Sequence, residues 1–104
     1  LMIDAGILVL VCLISPYENE RKTAKKLFKK GDFIEVYVKA SLKTLEKRDV
    51  KGLYKKARLG EIKDFTGISS PYEVPVNPNM IIDTEKNNIE ESVNMLFNKI
   101  KPII

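Results

Sequence analysis

Residues 7–14 read Ile-Leu-Val-Leu-Val-Cys-Leu-Ile, the longest apolar run in the 104-residue chain. A strand with one face in water alternates apolar and polar side chains. A continuous run needs cover on both faces, as in a parallel α/β sheet. It is too short to cross a bilayer, which takes about 20 apolar residues. No positively charged stretch precedes it, so it does not read as a signal peptide. It predicts a buried strand in a cytoplasmic protein with no membrane partner.

The rest of the chain alternates around that strand. Residues 1–5 read as the end of an apolar helix stopped by Gly6, and Ser15-Pro16 breaks the apolar run. A helix is predicted over residues 18–30, with Ala24, Leu27 and Phe28 as its apolar stripe, acids at its start and lysines at its end. Residues 33–39 alternate as a second strand, with Ile34, Val36 and Val38 on one side. Ser41 caps a short helix through Arg48, with Leu42 and Leu45 turned inward. Residues 49–79 carry Gly52, Gly60, Gly67, Pro71, Pro75 and Pro78, the composition of a functional loop or lid, and a short helix fits within 51–58. Residues 80–83 form a third strand. Asn88 followed by Glu91 makes a capping box for a final helix with Ile89, Val93, Leu96, Phe97 and Ile100 on one face, ended by Pro102. Strand, helix, strand, helix, lid, strand, helix is the order of a parallel α/β sheet. Three strands with an open edge, in a chain that starts inside an element, point to a fragment of a larger doubly wound domain.

Composition removes whole classes of chemistry. With no His and one Cys, the chain can build neither a common zinc site nor a Ser-His-Asp or Cys-His unit. It contains no GxxxxGK[ST] and no GxGxxG phosphate loop. Residues 21–63 hold fifteen of the eighteen basic side chains and five acids, a net of +10 between two acidic ends. Such a middle suits an anionic partner. Lys22, Lys25, Lys26, Lys29 and Lys30 also fit a solvated helix face. An RNA-binding domain would rest on the net charge alone, and no nucleic-acid partner is assigned.

Two segments follow strand ends, where open α/β sheets hold their ligands. The first is the turn at Ile14-Ser15-Pro16 with Arg21 one helical turn beyond. Backbone amides, a hydroxyl and a guanidinium could hold an anion there, and a plain strand-to-helix turn reads the same way. The second places Lys51, Lys55 and Arg58 at i, i+4 and i+7, on one face if helical, with Phe65 beyond them, poorly placed for a core. An aromatic beside cations can stack on a base while the cations hold phosphates.

Leu13-Ile14-Ser15-Pro16-Tyr17, Glu20-Arg21, Phe33-Ile34-Glu35-Val36, Lys51-Gly52-Leu53-Tyr54-Lys55-Lys56-Ala57-Arg58, Gly60-Glu61-Ile62-Lys63, Phe65-Thr66-Gly67-Ile68, Pro71-Tyr72-Glu73 and Pro75 resemble adenylyl-sulfate kinase in order and spacing. The likeness covers the C-terminal part of that family's single domain, here residues 1–104 with a lid at about 49–79. The family's phosphate loop lies upstream of Leu1. The resemblance implies a P-loop kinase-type doubly wound parallel sheet with a lid. It implies ATP-dependent phosphorylation of the 3′-hydroxyl of adenylyl sulfate, with ATP as co-substrate, Mg²⁺ held mostly by the upstream part, and commonly a homodimer. Association or fusion with ATP sulfurylase stays open. Ile14 and Ser15 match substrate-contacting positions, and Ser15 also matches the serine given a phosphoserine role in bacterial members. Direct in-line transfer needs only positioning and charge neutralisation. Lys51, Asp64 and Phe65 match lid contacts to adenylyl sulfate, with Phe65 stacking on its adenine. Arg48 matches a position flanking the ATP adenine, with Thr84 nearby. Glu18 stands where many members carry Arg, and an acid there could repel the anionic substrate unless it turns to solvent. The chain by itself is expected to be inactive and marginally stable. The alternative is a non-catalytic, nucleotide-binding or regulatory remnant of such a kinase.

Overall fold

The computed structural model describes Met2, Ile3 and residues 5–103. In chain order the elements are α1 (Glu18–Lys26), β1 (Val36–Lys39), α2 (Leu42–Arg48), α3 (Leu53–Arg58), β2 (Met80–Asp83) and α4 (Ile89–Ile100), followed by a 3₁₀ turn, Lys101–Ile103. The strands β1 and β2 pair in parallel, with Val36 opposite Met80 and Lys39 opposite Asp83. Parallel pairing requires a crossover, and α2, α3 and the long loop supply it. The fold is α/β, as expected.

Helix ends follow local chemistry. The Ser41 hydroxyl accepts the Thr44 N–H and starts α2. Asn88 and Glu91 form a reciprocal capping box at α4. Gly52, at φ +68°, precedes α3 in a left-handed conformation that suits a residue without Cβ.

The expected strand at residues 7–14 does not form. The segment has no regular secondary structure and lies outside the ladder, and Ile7, Leu10, Leu13 and Ile14 are 51–76% exposed. A strand exists through its hydrogen-bond partners, and among the described residues β1 and β2 pair only with each other. One side of the segment borders a cavity of about 350 Å³ shared with Ile34, Val36, Leu96 and Ile100; the rest meets solvent. The sheet therefore has two strands, not three.

α1 ends four residues earlier than expected. Its stripe finds no cover, with Leu27 81% exposed, while Phe28 turns onto Phe33 at 5.3 Å between ring centroids. The five lysines of residues 22–30 are solvated. The helix expected over residues 1–5 is instead a turn closed by Gly6 N–H to the Ile3 carbonyl, with Leu1 and Asp4 outside the described residues. Among the described residues the buried apolar side chains are Ala57 and Pro75 of the crossover and Ile82 of β2.

Candidate functional site

The end of α2, the start of α3 and the lid enclose an open cavity of about 300 Å³ whose walls include Leu45, Arg48, Lys51, Leu53, Tyr54 and Phe65. Asp49 joins the two helices. Its carboxylate accepts the Tyr54 N–H at 2.9 Å and the Lys55 N–H at 3.1 Å, satisfying two free donors at the start of α3. Lys51 lies before α3, so it does not share a helical face with Lys55 and Arg58. It stands on the cavity wall instead. Arg58 is also not free: it pairs with Glu46 at 2.7 Å, raising the Arg58 pKa and lowering that of the Glu46 carboxyl.

Phe65 is half-buried and meets the Tyr54 ring edge-on at 5.0 Å. Its packing role is larger than expected for a lid aromatic. A tight turn fixes it: the Phe65 N–H donates to the Ser69 hydroxyl at 2.7 Å, and its carbonyl accepts the N–H groups of Ile68, Ser69 and Ser70. Asp64, just before it, is exposed and left-handed at φ +52°.

Arg48 reaches across to the loop after β2. Its guanidinium donates to the Thr84 hydroxyl and to the Thr84 carbonyl, each at 2.9 Å. Thr84 in turn donates from its N–H and its hydroxyl to the Lys39 carbonyl at the end of β1. Sequence reasoning missed the next residue. The Glu85 carboxylate accepts the Ser41 N–H at 3.1 Å, the Ser41 hydroxyl at 3.0 Å and the Thr44 hydroxyl. These bonds, Thr44 first, hold its carboxyl below the usual carboxylate range. Residues 84 and 85 thus grip both ends of α2.

The second cluster surrounds the Ser15 turn. Ser15 is left-handed at φ +43°, and Ile14 beside it is 67% exposed. The Arg21 side chain is only 9% exposed. Its guanidinium donates to the Ser15 carbonyl, to the Glu73 carbonyl at 2.5 Å and twice to the Glu18 carboxylate. Tyr72 lies beside it, with the guanidinium carbon 5.8 Å from the ring centroid. Glu18 turns to Arg21, not to solvent, and the Arg21 hydrogen bond lowers the pKa of its carboxyl.

The structure therefore gathers Arg48, Lys51 and Phe65 around one cavity, joins Arg48 to Thr84, and joins Arg21 to Ser15. Among the described residues no group of three or more His, Cys, Asp or Glu side chains converges on a point that could hold a metal. No helix among them is long and apolar enough to cross a membrane.

A family model described as adenylylsulphate kinase matches residues 1–83. An adenylyl-sulfate kinase of Oceanobacillus iheyensis is 52% identical over 101 residues, 97% of this chain and 51% of that protein. One from Staphylococcus epidermidis matches to the same extent. An APS kinase of Mycobacterium tuberculosis, solved in complex with AMPPNP and APS, superposes with a TM-score of 0.76 at 42% identity, covering 89% of this chain and 55% of that one. The chain spans about half the length of the curated relatives it matches.

Proposed function

The chain belongs to the adenylylsulphate kinase family, and from that premise we propose that it forms the lid-bearing part of an enzyme that phosphorylates adenylyl sulfate. In the reaction, the 3′-hydroxyl oxygen of adenylyl sulfate bonds to the γ-phosphorus of ATP. The bond from that phosphorus to the β,γ-bridging oxygen breaks. The products are 3′-phosphoadenylyl sulfate, ADP and a proton. Such transfers depend on positioning and electrostatic stabilisation.

The single observation that carries this reading is the convergence of Arg48, Lys51 and Phe65 on one cavity, with Arg48 bonded to Thr84. On this reading Phe65 stacks on the substrate adenine and Lys51 offers its ammonium to the adenylyl sulfate anion. Asp64 contributes a further lid contact to adenylyl sulfate, and Ile14 and Ser15 face the substrate. Arg48 and Thr84 border the ATP adenine. On this reading residues 1–104 carry no phosphate-cradling glycine loop of their own, and turnover needs one supplied alongside them. A homodimer in the cytoplasm, alone or with ATP sulfurylase, completes the proposal.

The test is a fusion protein in which the unmatched half of the Oceanobacillus relative precedes this chain. ATP-dependent formation of 3′-phosphoadenylyl sulfate is expected from the fusion and not from the chain alone. A folded fusion that binds both nucleotides yet turns over neither would favour the non-catalytic remnant. Sedimentation of the same protein reads the dimer.

A further inference from the structure

Four contacts stitch the trailing end of the lid to the Ser15–Arg21 segment, more than fifty residues away in sequence. The Glu73 N–H donates to the Pro16 carbonyl at 2.8 Å. The Glu18 N–H donates to the Glu73 carboxylate at 2.9 Å. The Val76 N–H reaches the Glu18 carboxylate at 3.5 Å. Arg21 closes the knot by bonding the Glu73 carbonyl and the Ser15 carbonyl with one guanidinium, while Glu18 takes two more of its donors. Glu35 approaches from beside β1 at 3.7 Å. The Arg21 donors thus face acceptors of the chain itself, and its charge is matched by two carboxylates.

We propose that Arg21 is a positioning residue that locks the Ser15 turn to the end of the lid, and that Glu18 is its working partner. This differs from a direct hold on the anionic substrate, which the sequence alone suggested. Ser15 occupies a left-handed conformation that a residue with a Cβ rarely adopts, and Arg21 secures its carbonyl. Residues 73 and 76 of the lid are thereby tied to the turn, while Lys51 and Phe65 lie in the part of the lid outside the knot. The inference rests on the reading of the turn and lid as a substrate site.

The two roles of Arg21 predict opposite signs for Glu18→Gln. If Arg21 held substrate, removing the competing carboxylate would free its charge and tighten adenylyl sulfate binding. As a positioning residue it loses its partner, and KM for adenylyl sulfate rises about three- to tenfold, with KM for ATP within about twofold. Arg21→Lys keeps the charge, loses the fork and behaves the same way. Amide hydrogen exchange at Glu73 and Val76 rises about tenfold in both variants of the fusion protein. That second readout needs no catalysis, so an inactive fusion would count against the kinase reading while the exchange still tests the knot. Unchanged exchange in Arg21→Lys, or a lower KM for adenylyl sulfate in Glu18→Gln, would overturn the proposal.

Discussion

Arg48, the last residue of α2, holds Thr84 by its hydroxyl and its backbone carbonyl together, each at 2.9 Å. The pair joins the helix end to the loop after β2, at the carboxyl end of a parallel sheet. That is where open α/β sheets receive ligands. A guanidinium makes this two-pronged contact through a fixed planar fork, which an ammonium lacks.

If this pair borders the ATP adenine, Arg48→Lys and Thr84→Val should each raise KM for ATP in the fusion protein by about 5- to 30-fold, the equivalent of about 1–2 kcal/mol. KM for adenylyl sulfate should change far less. Steady-state kinetics with each substrate varied in turn gives the comparison, and equal loss for both substrates would argue against an ATP-specific role.

Stability in acid should report the carboxylates that hold the crossover. Glu85, Glu18 and Glu46 all titrate lower when folded, through Thr44 and Ser41, Arg21, and Arg58 respectively. The folded state therefore binds fewer protons than the unfolded one. Their contribution is complete above the unfolded carboxylate range, about pH 4–4.5, and is lost as pH falls through the folded pKa values. Glu85 is exposed and Glu46 and Glu18 are partly so, so the effect is modest and weakens with salt. Melts of the fusion protein from pH 7 downward should show Glu85→Gln less stable at pH 7, with the gap to the parent narrowing as pH falls below the unfolded carboxylate range. Parallel curves would remove Glu85 from this account.

What could be read in advance was what local chemistry decides. The Ser41 cap, the Asn88–Glu91 box and the span Met80–Asp83 are short-range patterns, and the structure has all three. The strand at residues 7–14 was not legible in the same way, because its propensity is local and its ladder is not. Lys51 was misplaced for a related reason: spacing alone could not show that α3 begins two residues later, behind Gly52 and the Asp49 carboxylate. Glu85 escaped notice, and Glu73 stood out only as part of the family string, because their partners lie 44 and 55 residues away. A lone acid in a loop carries no sign of such a partner. The family resemblance did bring Arg48, Lys51, Phe65 and Thr84 forward together, and three of them line one cavity.

The exposed apolar segment should respond oppositely in the two proteins. Leu10 is 70% exposed in this chain. In the chain alone, Leu10→Lys should lower binding of a hydrophobic dye and raise the soluble fraction. In the fusion protein, where the upstream part is expected to supply neighbouring strands, it should lower Tm by about 5–10 °C through loss of a buried leucine and burial of a charge. The same mild effect in both proteins would mean that the segment stays uncovered.

Phe65 has two jobs to separate, because its ring packs on Tyr54 and also faces the cavity. An edge-on aromatic pair contributes about 0.5–1.5 kcal/mol beyond buried area. Stacking on a base is worth about 1–3 kcal/mol. Phe65→Ala removes both and should lower Tm by a few degrees while weakening adenylyl sulfate use. Phe65→Leu keeps most of the apolar volume against Tyr54 but has no π-face for an adenine. It should therefore melt within about 3 °C of the parent, on the usual scale of Tm against stability. Its KM for adenylyl sulfate should nevertheless rise about 5- to 150-fold, the factor that corresponds to the stacking energy. KM for ATP should stay close to that of the parent. If Phe65→Leu binds adenylyl sulfate as the parent does while Phe65→Ala only loses stability, the ring is a packing element of the α2–α3 unit and the adenine must stack elsewhere.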